Sequence, residues 1–216
     1  MGELCIQDGQ KILFIGDSIT DCGRRDPNTP LGTGYVNYFT QLVMALYPER
    51  KIEYVNTGIG GNRITDLKAR WDVDAMDHKP DWLSIKIGIN DLHSYLADPN
   101  NGVSPKLYAE IYDYLLSETK KKLDCKIILI DPFYISTDRS SGSFQSKVLE
   151  ILPEYIDIVH KMSEKYGTKL VKLHDMFQNQ LKYRDASTFC PEPVHPNLVG
   201  HLIMAMELLK VLSEEG

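Results

Sequence analysis

Paired cysteines are missing from this chain. Its four cysteines, Cys5, Cys22, Cys125 and Cys190, are far apart and show no CxxC spacing. That argues against a disulfide framework and against zinc, and reads as reduced thiols in a cytoplasmic protein. Long apolar runs are missing too: no stretch approaches the ~18 residues that a membrane span needs. The first residues, MGELCIQDGQK, lack a basic segment followed by an apolar one, so no secretory signal is expected. Ile6 stands where a myristoylation motif needs Ser or Thr. Basic residues are in short supply, 24 against 30 acidic ones, for a net charge of −6. This disfavours nucleic acid and anionic membrane as partners. With no repeat, low-complexity segment or linker, the 216 residues are expected to form one domain, 1–216.

What is present is an alternation. Apolar strand-like runs fall at 11–15, 52–56, 82–87, 126–131 and 169–173. Helical spacing occupies 35–47, 64–77, 105–122, 144–166 and 197–213. The last stretch sets Leu198, His201, Leu202, Ala205, Leu208 and Leu209 on one face. Repeated strand–helix–strand units predict an α/β fold with a parallel five-stranded sheet covered on both sides. Such folds bind ligands beyond the carboxyl ends of the strands.

Four segments lie at those ends or just before the last helix: Gly16-Asp17-Ser18, Asn56-Thr57-Gly58-Ile59-Gly60-Gly61-Asn62, Gly88-Ile89-Asn90-Asp91 and Glu192-Pro193-Val194-His195-Pro196-Asn197. Ester cleavage needs a hydroxyl, a base, a carboxylate to orient the base, and donors for the oxyanion. Ser18, His195 and Glu192 supply the first three. The backbone N–H of Ser18, the N–H of Gly61 and the amide of Asn90 are candidates for the oxyanion hole.

GDSIT after the first strand, NxGxxGN after the second, GxND after the third and a late HPN motif resemble the SGNH (GDSL) hydrolase family. The resemblance implies a flavodoxin-like three-layer α/β/α sandwich and serine-based hydrolysis of esters or thioesters with no metal or other cofactor. It carries over Ser18 as nucleophile, Gly61 and Asn90 as oxyanion donors and His195 as base. FIGDSITDCGR, LGTGYV, DLKARW, KPDWLSIKIGIND and PFYI resemble, more narrowly, the intracellular acetyl-xylan (acetyl-xylooligosaccharide) esterases. That implies removal of O-acetyl groups from short xylose oligomers and a homo-oligomer. A thioesterase or lysophospholipase-like acyl hydrolase is the alternative within the class, and a non-catalytic flavodoxin-like binding module the alternative outside it. One departure is clear: the family carries Asp three residues before the histidine, and this chain carries Glu192, between Pro191 and Pro193.

Blander roles compete at each position. Ser18 could cap a helix, Asn90 could be an ordinary turn residue, and the glycines could form a plain turn. Asp17 reads as structural, His201 as packed core, and Asp72, Asp74 and Asp77 as a solvated helix face. Trp71 and Trp82 read as core or interface. His78, His93, His160 and His174 show no metal-ligand spacing; His93 and Tyr134 are candidates to line the substrate pocket. Asn197 is expected to cap the last helix. The segments 92–104 and 133–146 read as loops that flank the cleft and set specificity.

Overall fold

The computed structural model describes residues 2–213. Five strands, β1 (Lys11–Gly16), β2 (Glu53–Asn56), β3 (Trp82–Lys86), β4 (Lys126–Ile130) and β5 (Lys169–Val171), form one parallel sheet in the order β2-β1-β3-β4-β5. The helices are α1 (Ser18–Asp21), α2 (Tyr35–Leu46), α3 (Ile64–Trp71), α4 (Ile89–Ala97), α5 (Pro105–Lys122), α6 (Phe144–Tyr166), α7 (Leu173–Gln180) and α8 (Leu198–Ser213). Helix α8 lies along α2, while α3 packs on α5, and α5 and α4 both pack on α6. Every residue of β3 is buried, as are Ile12–Gly16 of β1 and Ile127–Ile130 of β4, because helices cover both faces of the sheet. The edge strands β2 and β5 are the shortest, four and three residues.

Local chemistry sets the helix ends. Ser104 caps α5 by accepting from Leu107 N–H, and Pro105 fills the first helical position, where no N–H is required. Ser143 caps α6, and Gly167 closes it in the left-handed conformation. Asn197 caps α8 through Gly200 N–H, as expected.

Several expectations need correction. The stretch 64–77 is not one uniform helix: α3 ends at Trp71 and a π-helical turn spans Asp72–Met76. Asp74 is not part of a solvated face but pairs with Arg70 at 2.8 Å. The segment 92–104 begins inside α4, and 133–146 ends in the first turn of α6. The last strand stops at Val171, and residue 173 opens α7. On α8 the buried face runs through His201, Met204, Ala205, Leu208, Leu209 and Leu212; Leu198 and Leu202 are exposed. Trp71 and Trp82, by contrast, are core as expected, with their indole N–H groups on Thr119 and Gln10.

The sheet order fixes where a site can form. From β1 the chain steps to β2 on one side and then to β3 on the other, so the crevice beyond the ends of β1 and β3 is a topological switch point. Ser18 follows β1, the glycine loop follows β2, and Asn90 follows β3.

Candidate active site

Register brings the first pieces together. Gly16 of β1 pairs with Lys86 of β3, so Asp17 leaves the sheet beside the Lys86 ammonium. Both side chains are fully buried, with Lys86 Nζ 3.1 Å from Asp17 Oδ2. Burial pushes the Lys86 ammonium down and the Asp17 carboxylate opposes it. Asp17 Oδ1 also accepts from Ile19 N–H, so Asp17, not Ser18, is the N-cap of α1. Ser18 is the first helical residue, and its own N–H has no acceptor within the helix.

Ser18 Oγ lies 2.8 Å from His195 Nε2. His195 Nδ1 is hydrogen-bonded to Glu192 Oε1. Glu192 also accepts backbone N–H groups, from Val194 at 2.9 Å and His195 at 2.8 Å, so its longer side chain folds back over its own turn. Partial burial pushes the Glu192 carboxyl up, but these N–H groups and the imidazole outweigh it and hold it below the usual range. The loop itself is tied down by Ile135 N–H on Pro193 O and by Asn197 N–H on Phe189 O.

The glycine loop is held against α1. Asp21 Oδ2 takes the Gly60 N–H at 3.0 Å, and Arg24 Nε donates to Gly58 O. A Cβ on Gly58 would stand 2.4 Å from Asp21 N, so this contact admits only glycine. Gly61 has φ +80°, a left-handed conformation that reverses the chain there, with open space where a side chain would be. Asn90, in the first turn of α4 rather than in a turn, donates from Nδ2 to Asn62 O at 3.1 Å. Its neighbour Asp91 is buried; Oδ1 accepts Ile64 N–H at 2.8 Å, and Oδ2 has no partner among the described residues. Burial pushes the Asp91 carboxyl up to about 7.

Ser18, His195, Glu192, the glycine loop and Asn90 therefore meet at one rim. His93 stands beside them: burial lowers its imidazole, and the Glu192 and His195 charges act on it. Its ring packs against Tyr134 and Phe144, at 6.2 and 5.3 Å between centroids. Tyr134 is itself buried, so it backs His93 rather than offering open surface. A cavity of about 210 Å³ opens next to Glu192, lined by Ile135, Ser136, Gln145, Cys190 and Pro193 among others. A larger apolar recess, about 520 Å³, lies between α2 and α8 and touches none of these residues. His201 is buried, as expected; it accepts Tyr35 N–H on Nδ1, with Cys22 Sγ 3.6 Å from Nε2. No three His, Cys, Asp or Glu side chains gather into a metal-ligating cluster among the described residues.

Sequence reasoning missed Lys86, Arg70 and the buried role of Asp91. The signal for Lys86 was a lysine inside the apolar run WLSIKI; the bonds of Arg70 to Gly16 O and Thr57 O and of Asp91 to Ile64 N–H reach across the sequence and leave no local trace.

A serine, an imidazole and a carboxylate in series, at the switch point of a parallel α/β sheet, form the array that serine hydrolases use. The profile of the GDSL-like lipase/acylhydrolase family matches residues 14–203, and the chain belongs to that family. It is 39% identical to an acetylxylan esterase of Geobacillus stearothermophilus over 97% of each chain. The crystal structure of Axe2, an acetylxylan esterase from that organism, superposes with a TM-score of 0.89 at 38% identity, covering 98% of each chain. LAE5, an α/β hydrolase enzyme from the metagenome of Lake Arreo, superposes at 0.88 with 30% identity, over 97% of this chain and 98% of its own.

Proposed function

We propose that this protein is a serine esterase that removes O-acetyl groups from short xylose oligomers. The observation that carries the reading is the continuous chain from Ser18 Oγ through the His195 ring to Glu192. In the forward step His195 Nε2 takes the Ser18 proton as Oγ attacks the acetyl carbonyl. Glu192 keeps the other ring proton on Nδ1 and balances the imidazolium that forms. The N–H groups of Ser18 and Gly61 and the second hydrogen of Asn90 Nδ2 meet the oxyanion. His195 returns the proton to the departing sugar hydroxyl, and water then clears the acetyl group from Ser18 by the same steps in reverse order.

The shape of the site favours a small acyl group on a polar alcohol. The His195 and Glu192 side chains are 55% and 47% exposed, so the leaving group meets open surface. The large apolar recess that could take a long acyl chain is between α2 and α8, away from Ser18. The similarity to an acetylxylan esterase along nearly the whole chain points the same way. Structures of that relative include catalytic mutants in which a serine, an aspartate or a histidine is replaced by alanine. The aspartate there precedes the histidine by three residues, the spacing of Glu192 and His195 here.

The test is a set of initial rates on acetylated xylobiose, p-nitrophenyl acetate and p-nitrophenyl octanoate, for wild type and Ser18→Ala. The expected result is preference for the acetyl esters and loss of turnover in Ser18→Ala. A preference for octanoate would replace the sugar-acetyl reading with a lipid-type acyl hydrolase. Full turnover in Ser18→Ala would remove the assignment of the nucleophile.

A further inference from the structure

Arg70, on α3 within DLKARW, is remote in sequence from Ser18, yet its guanidinium touches the end of β1 and both ends of the glycine loop, which build the rim. Nη2 donates to Gly16 O at 3.2 Å, the last residue of β1 and two before Ser18. Nη1 donates to Thr57 O at 2.7 Å, where the glycine loop begins. Nε donates to the Asn62 side-chain oxygen at 2.8 Å, where that loop ends. Asn62 O in turn accepts Asn90 Nδ2. Asp74 closes the fork at 2.8 Å from Nη1, and the Arg70 side chain is only 14% exposed.

A guanidinium is planar and carries its N–H donors in a fixed fork. Acceptors at the end of β1 and at both ends of the glycine loop that share one fork are held at set separations. A lone i,i+4 ion pair with Asp74 would need none of the carbonyl contacts. The loop between Thr57 and Asn62 contains Gly61, and Gly61 has only backbone with which to keep its place. Asn90 keeps its place partly through Asn62 O.

From this juxtaposition we infer that Arg70 is a positioning residue that sets the spacing between Ser18, Gly61 and Asn90. The inference rests on the esterase reading above. Arg70 touches no reacting atom; its effect reaches the transition state through the geometry of the oxyanion donors. Misplacement of such donors by about 1 Å costs on the order of a hundredfold in rate. Ground-state binding of the ester makes little use of them, so kcat carries the loss and KM does not.

The experiment compares wild type, Ser18→Ala, Arg70→Met, Asn62→Ala, Asn90→Ala and the Arg70→Met/Asn90→Ala pair. Active sites are counted with a serine-directed organophosphate, so misfolded protein does not enter kcat. Substrates are p-nitrophenyl acetate and its thiono analogue, whose sulfur accepts hydrogen bonds poorly and profits little from an oxyanion hole. For Arg70→Met the expected results are kcat per titrated site about a hundredfold lower, KM within about threefold, and a smaller ester-to-thionoester ratio. Asn62→Ala, which keeps the backbone and the other Arg70 bonds, lowers kcat per site by about tenfold with KM again within about threefold and a smaller ester-to-thionoester ratio, and carries the test if Arg70→Met does not fold. The pair loses less than the product of the single losses, because both changes act on one hole. Unchanged kcat per site with only a lower Tm, or fully multiplicative losses with an unchanged ester-to-thionoester ratio, would overturn the positioning role and leave the esterase reading standing. A wild type with no Ser18-dependent turnover would overturn both.

Discussion

Replacing Glu192 by glutamine keeps the shape of the side chain, removes its charge and turns one acceptor into a donor. Three N–H groups converge on the two carboxylate oxygens: Val194 N–H on Oε2, and His195 N–H with His195 Nδ1 on Oε1. An amide has one oxygen. With its NH2 in the place of Oε1 it would face two donors; in the place of Oε2 it faces only Val194 N–H. The second orientation is cheaper by one lost hydrogen bond, about 1–3 kcal/mol. In that orientation Nδ1 keeps its proton and Nε2 can still accept from Ser18. What disappears is the negative charge that balances the imidazolium. At ~4 Å and an effective dielectric of about 20 that charge is worth about 4 kcal/mol. With both side chains about half exposed, solvent screening brings it nearer ~3 kcal/mol. The expected loss in kcat for Glu192→Gln is therefore on the order of a hundredfold. Turnover of p-nitrophenyl acetate at saturation, per organophosphate-titrated site, measures it. A loss under about threefold would mean that Glu192 does not serve the imidazole; a loss near 10⁴-fold would mean that the amide flips and forces the wrong tautomer. Glu192→Asp separates charge from reach: its carboxylate keeps the charge but sits back by about one bond, ~1.5 Å. It should lose less than glutamine does, and the reverse order would refute the electrostatic account.

Three further outcomes follow from buried groups. Asp91→Asn keeps an oxygen for Ile64 N–H and removes a carboxyl pushed up to about 7 by burial. Because that carboxyl ionises more easily in the unfolded chain, wild-type stability should fall relative to the variant between pH ~4 and 7, by up to about 1.4 kcal/mol per unit, and level off above. Urea midpoints across that range test it, and a pH-independent difference would refute it. Lys86→Met leaves Asp17 buried without its counter-charge and should cost about 3–5 kcal/mol in denaturant unfolding; adding Asp17→Asn should recover part of it. Gly58→Ala puts a methyl 2.4 Å from the Asp21 backbone N and should cost about 1–3 kcal/mol while lowering kcat, whereas Gly167→Ala, at an exposed left-handed position that closes α6 before β5, at the end of the sheet opposite the site, should lower stability without touching kcat.

The chain's alternation was legible because each period is local. β1, β3 and β4 are apolar runs bounded by turns, and α5 and α6 carry both their caps and their spacing within a few residues. Helices α4 and α7 were not seen. Both are short, each begins within three residues of a strand end, and α7 carries polar His174, Asp175 and Gln178 around its two buried positions, Leu173 and Phe177. Ser18, His195, Glu192 and Asn90 were legible because each sits in a compact motif at a strand end or before a capped helix. Tyr134 was placed on the right side of the molecule but on the wrong layer, since a tyrosine in a loop looks the same in sequence whether it faces solvent or backs a histidine.

The contacts that hold those motifs in place follow a different rule. Lys86 meets Asp17 across 69 positions of sequence, Arg70 meets Gly16 across 54, and Asp91 meets Ile64 across 27. The first two join the end of a strand to a neighbouring segment and the third joins the first turns of α4 and α3, and each uses an ionisable side chain that the fold removes from water. Such groups are costly to bury without partners. A loop-borne site gains from that cost: a chain that fails to bring the partners together leaves a charge stranded in the core. The same bonds that Lys86, Arg70 and Asp91 make thus favour the one arrangement in which the serine, the glycine loop and Asn90 share a rim. Disturbing them should first spread that arrangement into several, so kcat is expected to fall at Arg70 and Asn62 before the global unfolding midpoint moves by a comparable free energy.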